Sequence, residues 1–234
     1  MTEAKNLVKS KSEEGTTVIA EIQTNGRGRL GRNWISPKGG IWMSIILYPN
    51  ITPEEVSLIT LAAATAVCTV IEQLYNVYPC LKWPNDIILN GKKICGILTE
   101  GSIGPDGLDY AILGIGLNLN FDNSNLPEEI KNLASTVISE TGINFETEEV
   151  LRLLLLELNK AYKSFLFDRE KILRLWESYS TTLGQNVSVV FDNRTITGTA
   201  LRITGEGHLV VFVDETGEEI EVDSGEVSIR PPMK

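Results

Sequence analysis

The pattern of the chain changes near Leu183, and that change limits the folds open to it. Downstream lie five short runs of alternating or β-branched residues: 187–191, 196–203, 209–213, 219–222 and 227–230. Turn residues separate them at Asp192–Asn193, Gly205–Gly207, Glu215–Gly217 and Ser224–Gly225. No helical periodicity interrupts them, so residues 183–234 are expected to form a separate small all-β barrel. Upstream, helices and strands are interspersed, and residues 1–182 are expected to form an α+β domain. The 234 residues suffice for one sizeable core and a small second unit.

Within the first unit, residues 2–9 read as a short helix and 16–22 as a strand. The apolar run 41–48 reads as a buried strand. A helix begins behind Thr52, with Pro53 at the first helical position and Glu55 completing a capping box. It runs to about Tyr75, with Val56, Ile59, Ala63, Val67, Val70 and Leu74 along one side. Strands are expected at 80–83, 87–89 and 94–99, the last two joined by a hairpin turn at Asn90–Gly91. Another is expected at 110–120. Helices follow at about 127–140, then 148–166 behind Thr147, then 169–179 behind Asp168.

Composition narrows the chemistry. The net charge is −10, which disfavours general nucleic-acid binding, so any anion site must be local. Three cysteines, at 68, 80 and 95, contain no C-x-x-C pair and suit a reduced, cytoplasmic protein. The lone histidine, His208, excludes mechanisms and zinc sites that need several imidazoles. The first ten residues do not resemble a signal peptide. The apolar run 151–158 carries Arg152 and Glu157 and is too short to span a bilayer, so no membrane role is expected.

One segment goes against the overall charge. From Ile22 to Pro53 there is no Asp or Glu, while Arg27, Arg29, Arg32 and Lys38 all fall inside it. Gly26, Gly28 and Gly31 interleave the arginines, and Trp34 closes the run. Glycine lets a backbone approach a ligand and present its N–H groups, and arginine supplies forks for carboxylate and phosphate. The pattern fits a loop that binds an anion, with Trp34 as an aromatic face for a base; a solvated basic loop is the plainer alternative. A second segment is Lys82-Trp83-Pro84-Asn85-Asp86, in which Asp86 caps the turn or pairs with it. The third, Gly114–Asn118, lacks the spacing of a dinucleotide fingerprint, and there is no Walker A sequence.

Taken together, these segments resemble the biotin protein ligases, also called holocarboxylase synthetases. The family pattern G-R-G-R-x-G-R-x-W is matched without a gap by Gly26 to Trp34, and K-W-P-N-D by Lys82 to Asp86. The A-G-I-L strand stands as Cys95–Leu98, with cysteine for alanine, and G-x-G-x-N as Gly114–Asn118. The L-G-x-x-V entry to the terminal barrel is Leu183–Val187. Two features depart from the pattern. The family's Ser-Thr-Asn element before the first helix has no counterpart, because the chain opens Met1-Thr2-Glu3-Ala4-Lys5 at or just after that point. Nor is the winged helix-turn-helix of the bifunctional repressor members present, so a monofunctional form is expected.

The resemblance implies a mixed β-sheet catalytic domain with flanking helices, like the class II aminoacyl-tRNA synthetases and biotin ligases, followed by an SH3-like barrel. It implies a two-step reaction in which biotin and ATP, with Mg²⁺, give biotinyl-5′-AMP and pyrophosphate. A lysine of the biotin carboxyl carrier protein then takes the biotin. It assigns Gln23, Gly26, Arg27, Gly28, Arg29, Lys82 and Gly96 to biotin, and Arg27, Gly28, Arg29, Trp34, Lys82 and Asn118 to the nucleotide. Lys82 and Arg29 become the catalytic residues, with Asp86 orienting groups or accepting a proton in transfer. A homodimer is implied. Two alternatives stand beside this reading: a lipoate–protein ligase, and a non-enzymatic nucleic-acid-binding module using the basic loop.

Overall fold

The computed structural model describes residues 1–105, 107–191 and 194–230. In chain order its elements are α1 (Thr2–Lys9), β1 (Thr17–Ala20), β2 (Ile41–Leu47), α2 (Val56–Tyr75), β3 (Cys80–Lys82), β4 (Asp86–Leu89), β5 (Lys92–Gly104) and β6 (Gly107–Leu117). Then come α3 (Val137–Thr141), α4 (Thr147–Phe167), α5 (Arg169–Tyr179), β7 (Asn186–Phe191), β8 (Arg194–Ile203), β9 (Leu209–Val213), β10 (Glu219–Val222) and β11 (Glu226–Ile229). The first six strands form one sheet in the order β1-β2-β6-β5-β4-β3. Its named strands pair antiparallel, and among the described residues parallel partners enter at two isolated bridges, Leu81 with Ser180 and Lys93 with Ala134. The last five strands form a second antiparallel sheet, β10-β9-β8-β7-β11. The all-β character expected of the terminal residues is therefore present. The expected turn at Asp192–Asn193 lies outside the described residues.

Side-chain alternation across the first sheet divides its two faces. On β2 and β6, Ile41, Met43, Ile45, Leu47, Ala111, Leu113, Ile115 and Leu117 face the main core with α2, α4 and α5. On the other face the cross-strand pair Ile46–Ile112 is covered by α1 through Ala4. Further along that face stand Ser44 opposite Gly114 and Gly96 opposite Gly116. Four small residues there leave space over the sheet, which Met1 enters at Ser44 and Gly114.

The capping box at Thr52 and Glu55 forms as expected, and Glu55 also takes an ion pair from Arg169. The single apolar stripe expected on α2 is too narrow. Thirteen of its residues are buried, because α4, α5 and both sheets surround it. It is also long and apolar enough to cross a membrane by length and composition, which the run 151–158 is not, but it lies mostly inside the core. The helix expected at 127–140 does not form, apart from α3 at its end. The backbone of 133–135 bonds instead to Lys93, with Lys93 N to Leu133 O at 2.8 Å and Ser135 N to Lys93 O at 3.0 Å. These tertiary bonds outweigh a helical spacing of apolar residues. Thr147 is the first residue of α4 and not its cap, since the first intrahelical bonds go to the carbonyl of Glu146. Asp168 caps α5 as expected, accepting from Lys171 N. β1 is shorter than the expected 16–22 strand, and β5 is longer than 94–99 because it continues into a hairpin with β6.

The two sheets share one hydrophobic core, in which Val187, Val189, Ala200, Leu209 and Val211 join residues of α2 and the first sheet. Trp83 fixes the joint. Its backbone N–H donates to Thr182 Oγ1 at 2.9 Å and its indole N–H to Gly207 O at 3.1 Å. Ser57 on α2 reaches Glu206 O at 2.5 Å. Thr182 is fully buried. Thr182→Val keeps its shape and strands a buried N–H, so it should lower unfolding stability by about 1–3 kcal/mol. Urea unfolding should show a lower midpoint at an unchanged slope; an unchanged midpoint would mean that the bond contributes nothing.

Candidate functional site

The hollow between Ser44, Gly96, Gly114 and Gly116 opens into a cavity of about 830 Å³. All ten residues singled out from the sequence line it: Gln23, Gly26, Arg27, Gly28, Arg29, Trp34, Lys82, Asp86, Gly96 and Asn118. They come from the basic loop, the β3–β4 turn, β5 and the end of β6, so only the fold brings them together.

The basic loop is not an irregular coil. Trp34 N bonds to Gly26 O, Arg27 bridges to Asn33, and Gly28 N bonds to Arg32 O at 2.7 Å, making a small antiparallel ladder. Leu30 (φ 54°) and Gly31 (φ 73°) turn its tip, and Leu30 is exposed. At the base the chain is tight. A methyl on Gly26 would lie 2.2 Å from Trp34 O and 2.9 Å from Gln23 Oε1, so only glycine fits. Gln23 Oε1 accepts from Ser36 Oγ at 2.8 Å, which fixes the orientation of its amide.

Trp34 lies across the Gly96–Gly116 pair. A methyl on Gly116 would come within 2.5 Å of its Nε1, and one on Gly96 within 2.9 Å of its six-membered ring. The two glycines therefore serve as a floor for an aromatic ring. The indole N–H, which lies buried, has no partner among the described residues. Nor has Asn118 Oδ1, in the cavity wall, while the Nδ2 of the same amide donates to Ser135 O at 3.0 Å. A buried acceptor left open beside an aromatic ring suits the amino group of a base.

The cations divide into two groups. Arg29 Nη1 donates to Gly225 O at 3.1 Å and Asn85 Oδ1 at 3.4 Å, and Arg32 pairs with Glu226. Both therefore tie the loop to the terminal sheet. Burial pushes the Arg29 guanidinium below its usual pKa, while nearby Asp86 and Glu226 raise it. Lys38 pairs with Glu21, away at the surface. Lys82 and Arg27 face the cavity without an acidic partner among the described residues. Asp86 does not pair with Lys82, as its place in the turn suggested, but with Lys93. The turn contains a cis Trp83–Pro84 bond, and Asn85 holds it to β5 through Ile97, with Nδ2 to Ile97 O at 2.7 Å. Cys95, where the family pattern has alanine, is fully buried on the core face, and burial pushes its thiol well up, so it acts as inert filling. Among the described residues no group of three or more His, Cys, Asp or Glu forms a metal cage.

Among the contributors that the sequence reading missed are Met1, Ser44, Asn85, Lys93 and the 225–229 segment. Ser44 had a signal, as the one polar residue in an apolar strand. Asn85 stood inside a recognised motif. The 225–229 segment had none, because its place at the cavity depends on the docking of the second sheet.

Comparison with known proteins agrees with this architecture. Residues 1–118 match the Biotin/lipoate A/B protein ligase family, and residues 182–230 match the Biotin protein ligase C terminal domain. The bifunctional ligase/repressor BirA of Bacillus subtilis is 39% identical over 214 residues, covering 91% of this chain. The chain spans 66% of that protein's length. The biotin–[acetyl-CoA-carboxylase] ligase of Mycobacterium tuberculosis is 29% identical over 220 residues, 92% of this chain and 79% of its own. Among solved structures, a biotin protein ligase from Aquifex aeolicus in complex with biotin and ATP is 32% identical. It aligns over 97% of this chain and 93% of its own, with a TM-score of 0.81. With both domain types matched in order and the fold shared along nearly the whole chain, this protein belongs to the biotin protein ligases of the biotin/lipoate A/B protein ligase family.

Proposed function

We propose that the chain is an ATP-dependent biotin protein ligase that forms biotinyl-5′-AMP and transfers biotin to a lysine of a biotin carboxyl carrier protein. The observation that carries this reading is the convergence on one cavity of a lysine and a buried acceptor, both without a partner among the described residues, and a glycine-floored aromatic ring. The Aquifex relative holds biotin and ATP together.

In this reading the biotin carboxylate attacks the α-phosphate of ATP, which enters with Mg²⁺, and pyrophosphate leaves. Neither a histidine nor a protein nucleophile is required, only positioning and charge neutralisation. Lys82 supplies the charge between two anionic reactants, because no carboxylate of the described residues already holds it. Gln23, Gly26 and Gly96 border the biotin end. Asn118 Oδ1 accepts from the adenine amino group, and Trp34 packs against the base. Arg27, Gly28 and Arg29 close over the adenylate phosphate. The carrier lysine then attacks the mixed anhydride and AMP leaves, with Asp86 in reach of the transferring proton. Residues 1–182 form the catalytic unit and 183–234 the terminal one. We place the protein in the cytoplasm, supported by unpaired thiols at Cys68, Cys80 and Cys95. We also take it to be a homodimer, for which the edge strand β1 offers the exposed Ile19.

The deciding experiment mixes the protein with Mg–ATP and either biotin or lipoate and follows pyrophosphate release. Release with biotin alone supports the reading; release with lipoate alone overturns it in favour of a lipoate ligase. Lys82→Ala should slow adenylation by the equivalent of about 3–4 kcal/mol, with the fold intact by circular dichroism. Near-normal release would remove Lys82 from the chemistry.

Arg29→Ala and Arg32→Ala should separate. Arg29 is half-buried with two partners, so its loss should speed escape of biotinyl-AMP roughly ten- to a hundredfold. The Arg32–Glu226 pair is largely exposed, at 69% and 35% of side-chain area, and such pairs contribute little. Biotinylation of a bystander protein lacking an acceptor sequence measures the escape. Equal labelling by the two variants would place the clamp elsewhere.

A further inference from the structure

Lys93 belongs to none of the motifs that mark the cavity, yet its ammonium lies between two residues that those motifs supply. It stands 2.5 Å from Asp86 Oδ1 and 5.2 Å from the centre of the Trp34 ring. Its stem runs beside Gly96, where an added methyl would meet Lys93 Cε at 3.2 Å.

Simple alternation along β5 would not put it there. Cys95 and Ile97 face the core, and a residue two before Cys95 should face it too. The β4–β5 register shows why it does not. Ile87 pairs with Cys95, but the next residue, Ile88, pairs with Lys93, so Ile94 is an extra residue in β5. This bulge moves Lys93 to the face of Ile88, Asp86 and Gly96, which is the cavity face. The displaced backbone is fully engaged. Ile94 O accepts from Asn118 N at 2.8 Å, and the Lys93 peptide groups bond to Leu133 O and Ser135 N. The bulge therefore aims Lys93 and holds the Asn118 backbone at the same time.

We propose that Lys93 is a positioning residue for the nucleotide: it holds the Trp34 indole on the Gly96–Gly116 floor and neutralises Asp86 in the wall that a polyphosphate must approach. Resting on the reading above, this assigns Lys93 to ATP affinity and not to the chemical step. A cation beside an indole ring is attracted to it, and the Asp86 carboxylate holds that cation in place. Without Lys93, Asp86 would lose its ion-pair partner and present its negative charge to the triphosphate with only the neighbouring Arg29 to offset it, in the cavity where Lys82 and Arg27 are needed for the substrate.

Lys93→Met keeps the stem and removes the charge. KM for ATP should rise about tenfold, as for loss of one charge contact, with kcat and KM for biotin within about twofold of the parent. Lys93→Arg keeps a cation for the ring and the carboxylate and should restore ATP affinity. A second readout needs no substrate. With a Trp34→Phe spectrum subtracted, Trp34 emission should be quenched by acrylamide more readily in Lys93→Met than in the parent. Equal rises in both KM values, a fall in kcat alone, a Lys93→Arg as impaired as Lys93→Met, or unchanged quenching would each overturn the assignment. A parent protein that releases no pyrophosphate with biotin would refute the proposed activity instead, and the quenching comparison would still decide whether Lys93 holds the indole.

Discussion

The indole of Trp83 donates to the carbonyl of Gly207 from inside a core that neither sheet completes alone, and the arrangement of the cavity follows from that bond. Lys82 precedes Trp83, and Asn85 and Asp86 follow it. The turn that displays all three is held on one side by Thr182 and Gly207, and on the other by the bonds of Asn85 to Ile97. Residues 182–230 are matched as a domain of their own, but their strands supply the wall against which the Lys82 turn is set. The terminal sheet and Lys82 are thus parts of one packing arrangement.

A second tie runs from the opposite direction. The arginine ladder leaves the first sheet, crosses the cavity and meets the terminal sheet at residues 225–226. Its contacts there are few and partly exposed, unlike the buried joint at Trp83. The cavity therefore has a rigid wall and a yielding one built from the same pair of sheets. Small hydrogen-bonded contacts of this sort open more readily than a packed core. The labile intermediate of the proposed reaction needs a site that can open to the acceptor and otherwise keep water out.

How much of this was legible in the sequence depends on whether a feature was local. The capping box at Thr52–Glu55, the Asn90–Gly91 turn and the five terminal strands are set by neighbouring residues, and all are present. Nine of the ten cavity residues were legible because they sit in motifs that stand almost unbroken, while Gln23 lies just outside them. Features set by distant contacts were not. The apolar spacing of 127–140 resembles a helix, but the backbone of 133–135 is claimed by Lys93, about forty residues upstream. The narrow stripe read on α2 failed because two layers of helix and sheet enclose it, which no pattern within the helix announces. Lys93 was invisible for the sharpest reason: its side of the sheet is decided by a bulge, and a period-two reading assigns it to the wrong face.

That bulge also bears on how this hairpin can change over evolution. Hairpin turns ordinarily tolerate gain and loss of residues, since the strands can slide and the tip is solvated. Here the tip at Asn90–Gly91 is separated from the cavity by a strand whose one extra residue, Ile94, is buried and bonded to Asn118. Deleting Ile94 would restore a regular ladder with Lys93 still opposite Ile88, but it would take a fully buried side chain out of the core. It would also withdraw the carbonyl that receives Asn118 N. A one-residue length change that most β-hairpins absorb would in this one reach the core and the Asn118 wall of the cavity at once, so the interval from Asp86 to Gly96 should vary in residue type far more freely than in length.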